Sequence, residues 1–500
     1  MDTIDSRMDM FKCYLDRTNM DHKEYQYDGV RWCLNNELRE DPPCNVRGGF
    51  IADEMGLGKT IMMIGLMYSN FVPRTLVILP PILIDQWFLQ IYKTTGHKAL
   101  IYHGEAKKTI TFEQLSAARI VISSYGAITL TKKQINDDAL TMLHKVYWNR
   151  IIFDEAHHLR NSKTTRYIGS RLLSARIRWL VSGTPIQNSK ADFYSLCALV
   201  GLPASFYTDT DNLRLLARSF ILKRTKKQVG IVISDIHVGK SVVDWASQKE
   251  MALSEELHSA LSFSRVNPEK GMNNQIVGTF RNKGILTLLL RAKQSCIYPK
   301  LMSKQLDKLV QMGFLRDYSS YKDAFEHSSK LDAAVNTILE RKANGCGKLI
   351  FCHFREEIDE IAHRLRKGGM TNVATFDGRT SNGKRYDILN EKNEALILQI
   401  QTGCEGLNLQ ENYSEIYFIS PHWNPAVEDQ AIARCHRIGQ TKPVYVQRFE
   451  MCSFVHDQHE DIPKGTGVSD VSSVSTRTID KYVNDVQEGK RIVASEILAE

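Results

Sequence analysis

Short runs of apolar and β-branched residues recur along the chain. Each closes on polar residues and is followed by a stretch with helical spacing. In the first half the runs are GGFIAD (48–53), TLVILP (75–80), RIVISSY (119–125), RIIFDEAHH (150–158) and RWLVSGTP (178–185). In the second half they are KLIFCHF (348–354), NVATFDG (372–378), EALILQIQTG (394–403), EIYFISP (415–421) and VYVQRFE (444–450). The runs are continuously apolar rather than alternating, which predicts strands buried on both faces of parallel sheets with helices on either side. In such sheets ligands gather beyond the carboxyl ends of the strands, and the charged residues of these runs fall there. The pattern predicts an α/β chain of two parallel-sheet lobes, over 1–228 and 330–451. A linker and a mostly helical region fill 229–329. Residues 452–477, a mixture of Asp, Gly, Ser and Val, read as an exposed insertion. A terminal helix takes up 478–500, with helical spacing from Ile479 to Leu498.

Composition changes this picture little. The chain is 43% hydrophobic and 24% charged, with 65 basic against 57 acidic residues and a net charge of +8. That balance permits a polyanionic partner without demonstrating one. Ten cysteines without a CxxC pair point to reduced thiols rather than a disulfide framework. The first residues, MDTIDSRMDMFK, carry acids and no long apolar core, so no signal peptide is expected. Apolar runs such as Ile285 to Leu290 fall short of the about 20 residues a membrane span needs.

Chemistry concentrates at two strand ends. GLGKT (56–60) follows a strand and opens the apolar helix IMMIGLMY, the context a phosphate-binding loop requires. Backbone N–H groups of Asp53, Glu54, Met55, Gly56, Leu57 and Gly58 would face the phosphates of ATP. Lys59 would reach the terminal phosphates, and Thr60 would hold Mg²⁺. Asp53 stands where the first glycine of such loops is expected. The competing reading is a plain glycine turn. DEAH (154–157) ends a second strand. Asp154 would bind Mg²⁺, and Glu155 would orient and deprotonate the attacking water. The alternative there is an acidic strand end capping the next helix. The two motifs in this order favour the nucleotide reading. Arg434 and Arg437 lie three apart in IARCHR. If helical, they share one face and become candidate arginine fingers for the transferred phosphoryl group.

Taken together, these strings resemble the Swi/Snf-type ATPases of helicase superfamily two. EYQYDGVRW (24–32), with Gln26 at the adenine-reading position, DEMGLGKT and DEAHHLRNSKT carry the resemblance in the first half. LVSGTPIQN (180–188) and FILKRTKKQV (220–229) extend it. In the second half it rests on LIFCHF, TGCEGLNLQ and HWNPAVEDQAIARCHRIGQ, then TIDKYVNDVQEGKRIVASEIL (478–498). The resemblance covers nearly the whole chain, and WNPAVE with HRIGQ is its most specific part. It implies two RecA-like lobes, a C-terminal brace helix, and Glu155, Lys59, Arg434 and Arg437 as catalytic residues. A motor of this length with little besides it is similar to the stand-alone viral members of the family. Departures occur at His22 and Lys23, before the Tyr–Gln pair, at Cys404 and Glu405, and at Ala433. None removes a hydrolytic residue.

The resemblance also implies a double-stranded DNA partner lying across both lobes. Its contacts would include Gln86, Ser124, Arg355, Arg379, Thr402, Trp423 and Asn424, at strand ends where hydroxyls, amides and guanidinium groups suit phosphates. Trp87 and Trp423 can be core or base-stacking residues. KRTKK (223–227) can meet phosphate, act as a nuclear localisation signal, or be a solvated linker. Cys452, His456 and His459 have a loosely zinc-like spacing without a fourth ligand. The expected function is an ATP- and Mg²⁺-dependent translocase on duplex DNA, acting in the nucleus on transcription, chromatin or a viral genome. A strand-separating DNA or RNA helicase and a non-hydrolysing transcriptional scaffold stay open as alternatives.

Overall fold

A computed structural model describes residues 3–137, 139–184, 189–259, 261, 283–317, 319–403, 407–454 and 477–498. The chain divides into two compact units, Met1–Val232 with Val493–Glu500, and Ile233–Ile492.

The first unit holds seven strands: β1 (Arg47–Ile51), β2 (Thr75–Leu79), β3 (Leu100–Tyr102), β4 (Ile120–Ser124), β5 (Tyr147–Asp154), β6 (Ser174–Val181) and β7 (Ile221–Leu222). They form one parallel sheet in the order β3-β4-β2-β5-β6-β1-β7. Side chains alternate across it. Leu76 and Ile78 of β2 and Ile151 and Phe153 of β5 enter one core, while Val77, Leu79 and Ile152 enter the other. Burial on both faces is the reason these strands read as unbroken apolar runs. A fully buried ion pair crosses the second of these cores. Arg150 is bound to Glu37, which also accepts from Trp179 Nε1 at 2.8 Å and Asn70 Nδ2 at 2.6 Å.

The second unit holds β8 (Ile236–Val243), β9 (Gly347–Cys352), β10 (Val373–Phe376), β11 (Ala395–Gln399), β12 (Tyr413–Phe418) and β13 (Val444–Met451). These form a second parallel sheet in the order β10-β11-β9-β12-β13-β8. Leu349 and Phe351 face one core, Ile350 and Cys352 the other. A third apolar cluster joins the helices Gln248–Ser259, Lys283–Ile297 and Leu306–Gln311 to Ile479 and Val483 of the terminal helix. That helix, Ile479–Leu498, is anchored by a buried Lys330–Asp480 ion pair. Asp480 also accepts from Ser420 Oγ at 3.1 Å and Met451 N at 3.0 Å. This is the two-lobed α/β architecture the sequence implies, with parallel strands in both halves.

Three strands lie outside the runs picked out above. β3 and β7 are three and two residues long. β8 is an edge strand that pairs with β13 over its whole length. Among the described residues no helix is long and apolar enough to cross a membrane. The inserted stretch lies outside the described residues from 455 to 476. Just before it, Phe454 is buried and stacks on Trp245. No group of three or more His, Cys, Asp or Glu side chains able to hold a metal occurs among the described residues, and His456 and His459 lie outside them.

Candidate nucleotide site and nucleic-acid face

The loop 53–60 links the end of β1 to the helix Lys59–Ser69. Gly56 and Gly58 adopt positive φ, +91° and +78°, a region that costs a side-chain-bearing residue. At Gly58 a Cβ would also lie 2.5 Å from Gln26 Nε2. Gln26 is buried and donates from Nε2 to Leu57 O at 3.3 Å, so the residue assigned to adenine lies against the loop itself. Lys59 Nζ donates to the carbonyls of Asp53 and Glu54 at 2.8 and 3.3 Å. Met55 packs beside Gly183, and Leu57 is fully buried. Thr60 begins the first turn of the helix and is half-buried. The carboxylate of Asp53 is buried and bound by Arg224.

β5 delivers Asp154 and Glu155 next to this loop. Asp154 Oδ2 accepts from Trp87 Nε1 at 2.8 Å, and Oδ1 accepts from Glu155 N at 3.0 Å. Its backbone carbonyl accepts from Tyr125 Oη at 2.6 Å. Burial, and then the charge of Glu155, push the Asp154 carboxyl up to about 7, while Trp87 and the Lys59 ammonium hold it back. Glu155 adopts a left-handed backbone, φ 50° and ψ 48°. A non-glycine residue there stores about 1–3 kcal/mol and is concentrated at functional sites. Glu155 makes no capping hydrogen bond to the short helix Ala156–Leu159. Its carboxylate lies 3.3 Å from His157 Nδ1, which is 3.2 Å from Ser182 Oγ. Ser182 also accepts from Thr184 N at 3.3 Å, and Ser182 N donates to Ile51 O at 3.0 Å. A Cβ on Gly183 would come within 3.3 Å of Lys59 Nζ. The GLGKT, DEAH and SGT strings thus converge, because β1 pairs β6 and β6 pairs β5. Residues 185–188 lie outside the described residues.

This donor set suits a divalent cation. Burial first, and then the adjacent charge of Glu155 that Lys59 only partly offsets, make Asp154 hard to ionise. The hydroxyl of Thr60 and the carboxylate of Asp154 are hard oxygen donors of the kind Mg²⁺ takes.

Arg434 and Arg437 belong to the second unit. They do not share a helical face, because the helix Pro425–Ile432 ends before them and both lie in the turns that follow. Arg434 Nη1 donates to Leu407 O at 3.4 Å, and its Nε is buried with no hydrogen-bond partner among the described residues. Arg437 donates to Asn408 Oδ1, and burial and the charge of Arg434 lower its pKa. The two guanidinium groups are therefore electrostatic neighbours despite the broken helix. Gln440 fastens the turn through Nε2 to the carbonyls of Gln410, Tyr413 and Cys435.

The residues assigned to DNA differ in their freedom. Gln86 and Arg355 are exposed. Ser124 is buried, its hydroxyl 2.9 Å from His103 Nδ1. Asn424 is buried and caps the helix Pro425–Ile432 through Ala426 N at 3.1 Å. Arg379 is held by Asp359 and Asp377, and these bonds raise its pKa. Trp423 is partly buried, edge-on to Tyr482. Thr402 lies in the short helix Ile400–Gly403 after β11. Cys404 and Glu405 lie outside the described residues. Sequence reasoning missed two partners of the site. Trp87 stood only as core or stacking residue, and Arg224 only as part of a basic run.

Comparison with known proteins gives a consistent picture. The profile of the SNF2-related domain matches residues 25–301, and that of the helicase conserved C-terminal domain matches residues 329–439. The chain is 27% identical to the probable global transactivator of Orgyia pseudotsugata multicapsid polyhedrosis virus, covering 85% of each chain. It is 26% identical to the DNA excision repair protein ERCC-6-like of Bos taurus, over 87% of this chain and 40% of that one. It is 25% identical to the ATP-dependent DNA helicase DDM1 of Arabidopsis thaliana, over 85% of this chain and 58% of the relative. The chain thus spans most of the viral relative but less than two thirds of these two cellular ones. Among solved structures, the Sulfolobus solfataricus SWI2/SNF2 ATPase core in complex with dsDNA matches with a TM-score of 0.38 and 22% identity, over 87% of this chain and 88% of that chain.

Proposed function

The chain belongs to the SNF2-related ATPases of helicase superfamily two, and from that premise we propose that it is an ATP-driven translocase on double-stranded DNA. The observation that carries the hydrolytic part is the convergence of Lys59, Asp154, Glu155 and Ser182 at one end of the first sheet.

In this reading the loop 53–60 binds the phosphates of ATP through its N–H groups, and Gln26 meets the base. Lys59 supplies a cation to the terminal phosphates. Thr60 and Asp154 hold Mg²⁺, which when bound neutralises phosphate charge. Glu155 orients a water and takes its proton as the oxygen bonds to the γ-phosphorus and the bond to ADP breaks. Trp87 and the backbone N–H of Glu155 fix the two oxygens of Asp154 and so orient the carboxylate that would hold the metal. His157 ties Glu155 to Ser182, so a change at the carboxylate reaches the strand next to the loop. The family resemblance assigns Arg434 and Arg437 the role of arginine fingers, which stabilise charge on a transferred phosphoryl group.

Duplex DNA as the track and a role in transcription, chromatin or viral genome remodelling are supported by the family and by its transactivator, DNA-repair and DNA-helicase relatives. Nuclear action, in the host nucleus for a viral protein, is proposed by analogy with the same relatives. Gln86 and Arg355 are the strongest DNA contacts of the proposed set, because they are exposed.

The test is ATP hydrolysis by the purified protein with no nucleic acid, duplex DNA, single-stranded DNA and RNA in parallel, with Glu155→Gln as the blank. Stimulation by duplex DNA, absent in the variant, is expected. Turnover raised by single-stranded RNA and untouched by duplex DNA would refute the duplex track. ATP-dependent strand release in an unwinding assay would replace translocation by strand separation.

A further inference from the structure

We infer that the basic segment after β7 belongs to the nucleotide loop, with Arg224 and Lys226 as positioning residues for it rather than DNA contacts or an import signal. The inference rests on the reading of 53–60 as the nucleotide site.

KRTKK (223–227) contains no acid, and as a sequence it looks like a free cationic patch. In the fold its partners come from the loop more than 170 positions earlier. β7 pairs with β1 in parallel, and the pairing runs on past both strand ends. Ala52 N donates to Leu222 O at 2.7 Å, and Glu54 N donates to Arg224 O at 2.9 Å. Lys226 N donates to Glu54 Oε2 at 2.8 Å. The segment therefore flanks the entry to the loop as a short continuation of the sheet.

The side chains then lock the two stretches together. Arg224 grips Asp53 at two points, Nε to Oδ1 at 3.0 Å and Nη2 to Oδ2 at 2.5 Å. Asp53 is wholly buried, so a geometry this specific is what makes its charge tolerable there. Lys226 Nζ lies 3.0 Å from Glu54 Oε1, and Lys226 is itself buried. Arg224 also lies over the Tyr25 ring and donates to Tyr25 O. Gln26, the next residue, touches the loop at Leu57. One guanidinium thus joins the adenine-reading helix, the loop and the exit strand.

The link to chemistry is short. The two carbonyls that accept from Lys59 Nζ belong to Asp53 and Glu54, the residues whose carboxylates Arg224 and Lys226 hold. This accounts for Asp53 at a position where such loops carry glycine: its side chain is the anchor that Arg224 binds, a contact glycine could not make. Without Arg224, a buried carboxylate would stand unpaired beside a site for a polyanion, and the backbone that places Lys59 would lose its brace.

The experiment compares Arg224→Gln, Lys226→Gln and the double variant Asp53→Asn/Arg224→Gln with wild type. It measures kcat and KM for MgATP, ATP binding without hydrolysis, thermal stability, and duplex-DNA affinity over a salt series. Arg224→Gln is expected to raise KM and the ATP Kd by about tenfold, more than it lowers kcat, with Lys226→Gln smaller in the same direction. The double variant, in which two neutral amides face each other, should recover part of the lost ATP affinity. DNA affinity and its salt slope should stay at wild-type values. Unchanged ATP affinity with weaker DNA binding and a salt slope reduced by about one overturns the inference and makes the segment a phosphate contact. Failure of Arg224→Gln to fold leaves Lys226→Gln to decide by the same readouts. ATP binding that survives in Lys59→Ala would refute the reading of the loop itself, a result separate from any Arg224 effect.

Discussion

Trp87→Phe isolates one hydrogen bond at the centre of the proposed reaction. Trp87 is buried in the helix Ile84–Thr95, and its indole N–H lies 2.8 Å from Asp154 Oδ2. Phenylalanine keeps an aromatic ring in the same core and removes the donor. A hydrogen bond to a charged acceptor is worth about 1.5–3 kcal/mol. The smaller ring leaves a void of at least methyl size, worth about 1 kcal/mol of global stability. The two losses separate by assay. The void lowers the unfolding midpoint by a few degrees, while the missing donor frees Asp154 Oδ2, leaving among the described residues the 3.0 Å bond from Glu155 N to orient the carboxylate. The Mg²⁺ concentration at half-maximal ATPase should rise by about ten- to hundredfold. ATP binding in EDTA should stay near wild type, and the gain in ATP affinity on adding Mg²⁺ should shrink. An unchanged Mg²⁺ requirement in a folded variant would refute a positioning role. Equal loss of ATP binding in EDTA would mean that the substitution damages the loop and not the carboxylate.

Three further outcomes follow from the same geometry. Glu155→Gln should abolish turnover by at least about a hundredfold while keeping ATP binding; substantial residual hydrolysis would move the base elsewhere. Arg437→Ala should cut turnover and largely spare ATP affinity, and equal loss of both would remove it from the finger role. The second unit should be acid-labile at the root of the terminal helix. His258 Nε2 accepts from Ile479 N at 2.9 Å while its Nδ1–H donates to Ser254 O at 2.6 Å, so the fold requires the neutral ring. Burial lowers its pKa to about 4, with Asp480 opposing that and Lys330 adding to it. Between pH 6.5 and 4 the unfolded chain takes up a proton that the folded one refuses. The stabilisation is therefore complete above 6.5 and falls by about 3 kcal/mol towards pH 4. His422, also lowered to about 4 by burial, adds to the same slope. His258→Gln should flatten the fall in unfolding free energy, and an unchanged slope would sink the assignment.

What the sequence made legible and what it hid divide along a physical line. The strands in the middle of both sheets are buried on two faces, so hydrophobicity alone marks them, and the chemistry at their carboxyl ends is marked with them. β8 escaped because it is an edge strand. Its Val238 and Val242 are exposed, Gly239 and Lys240 interrupt it, and its only sheet neighbour, β13, lies about two hundred positions away. The helical spacing of Arg434 and Arg437 was misleading for a related reason. Leu409 N donates to Arg434 O at 3.1 Å, and Gln440 ties the following turn to 410–413. These bonds to a distant loop stop the helix at Ile432 against its local pattern. Trp87 and Arg224 show the same limit in side chains. A tryptophan among apolar neighbours and an arginine among lysines carry no local sign of their partners, because the meaning of each is a single carboxylate, Asp154 or Asp53, that parallel pairing brings alongside. Local pattern therefore locates the carboxylates and the loop, while the groups that orient them come from strand order. The acids of DEMGLGKT and DEAH thus read as two kinds. Asp53 and Glu54 are bound by cations of the exit strand, whereas Asp154, buried beside the charge of Glu155, has its carboxyl pushed up to about 7 and is the group a bound cation would help to ionise.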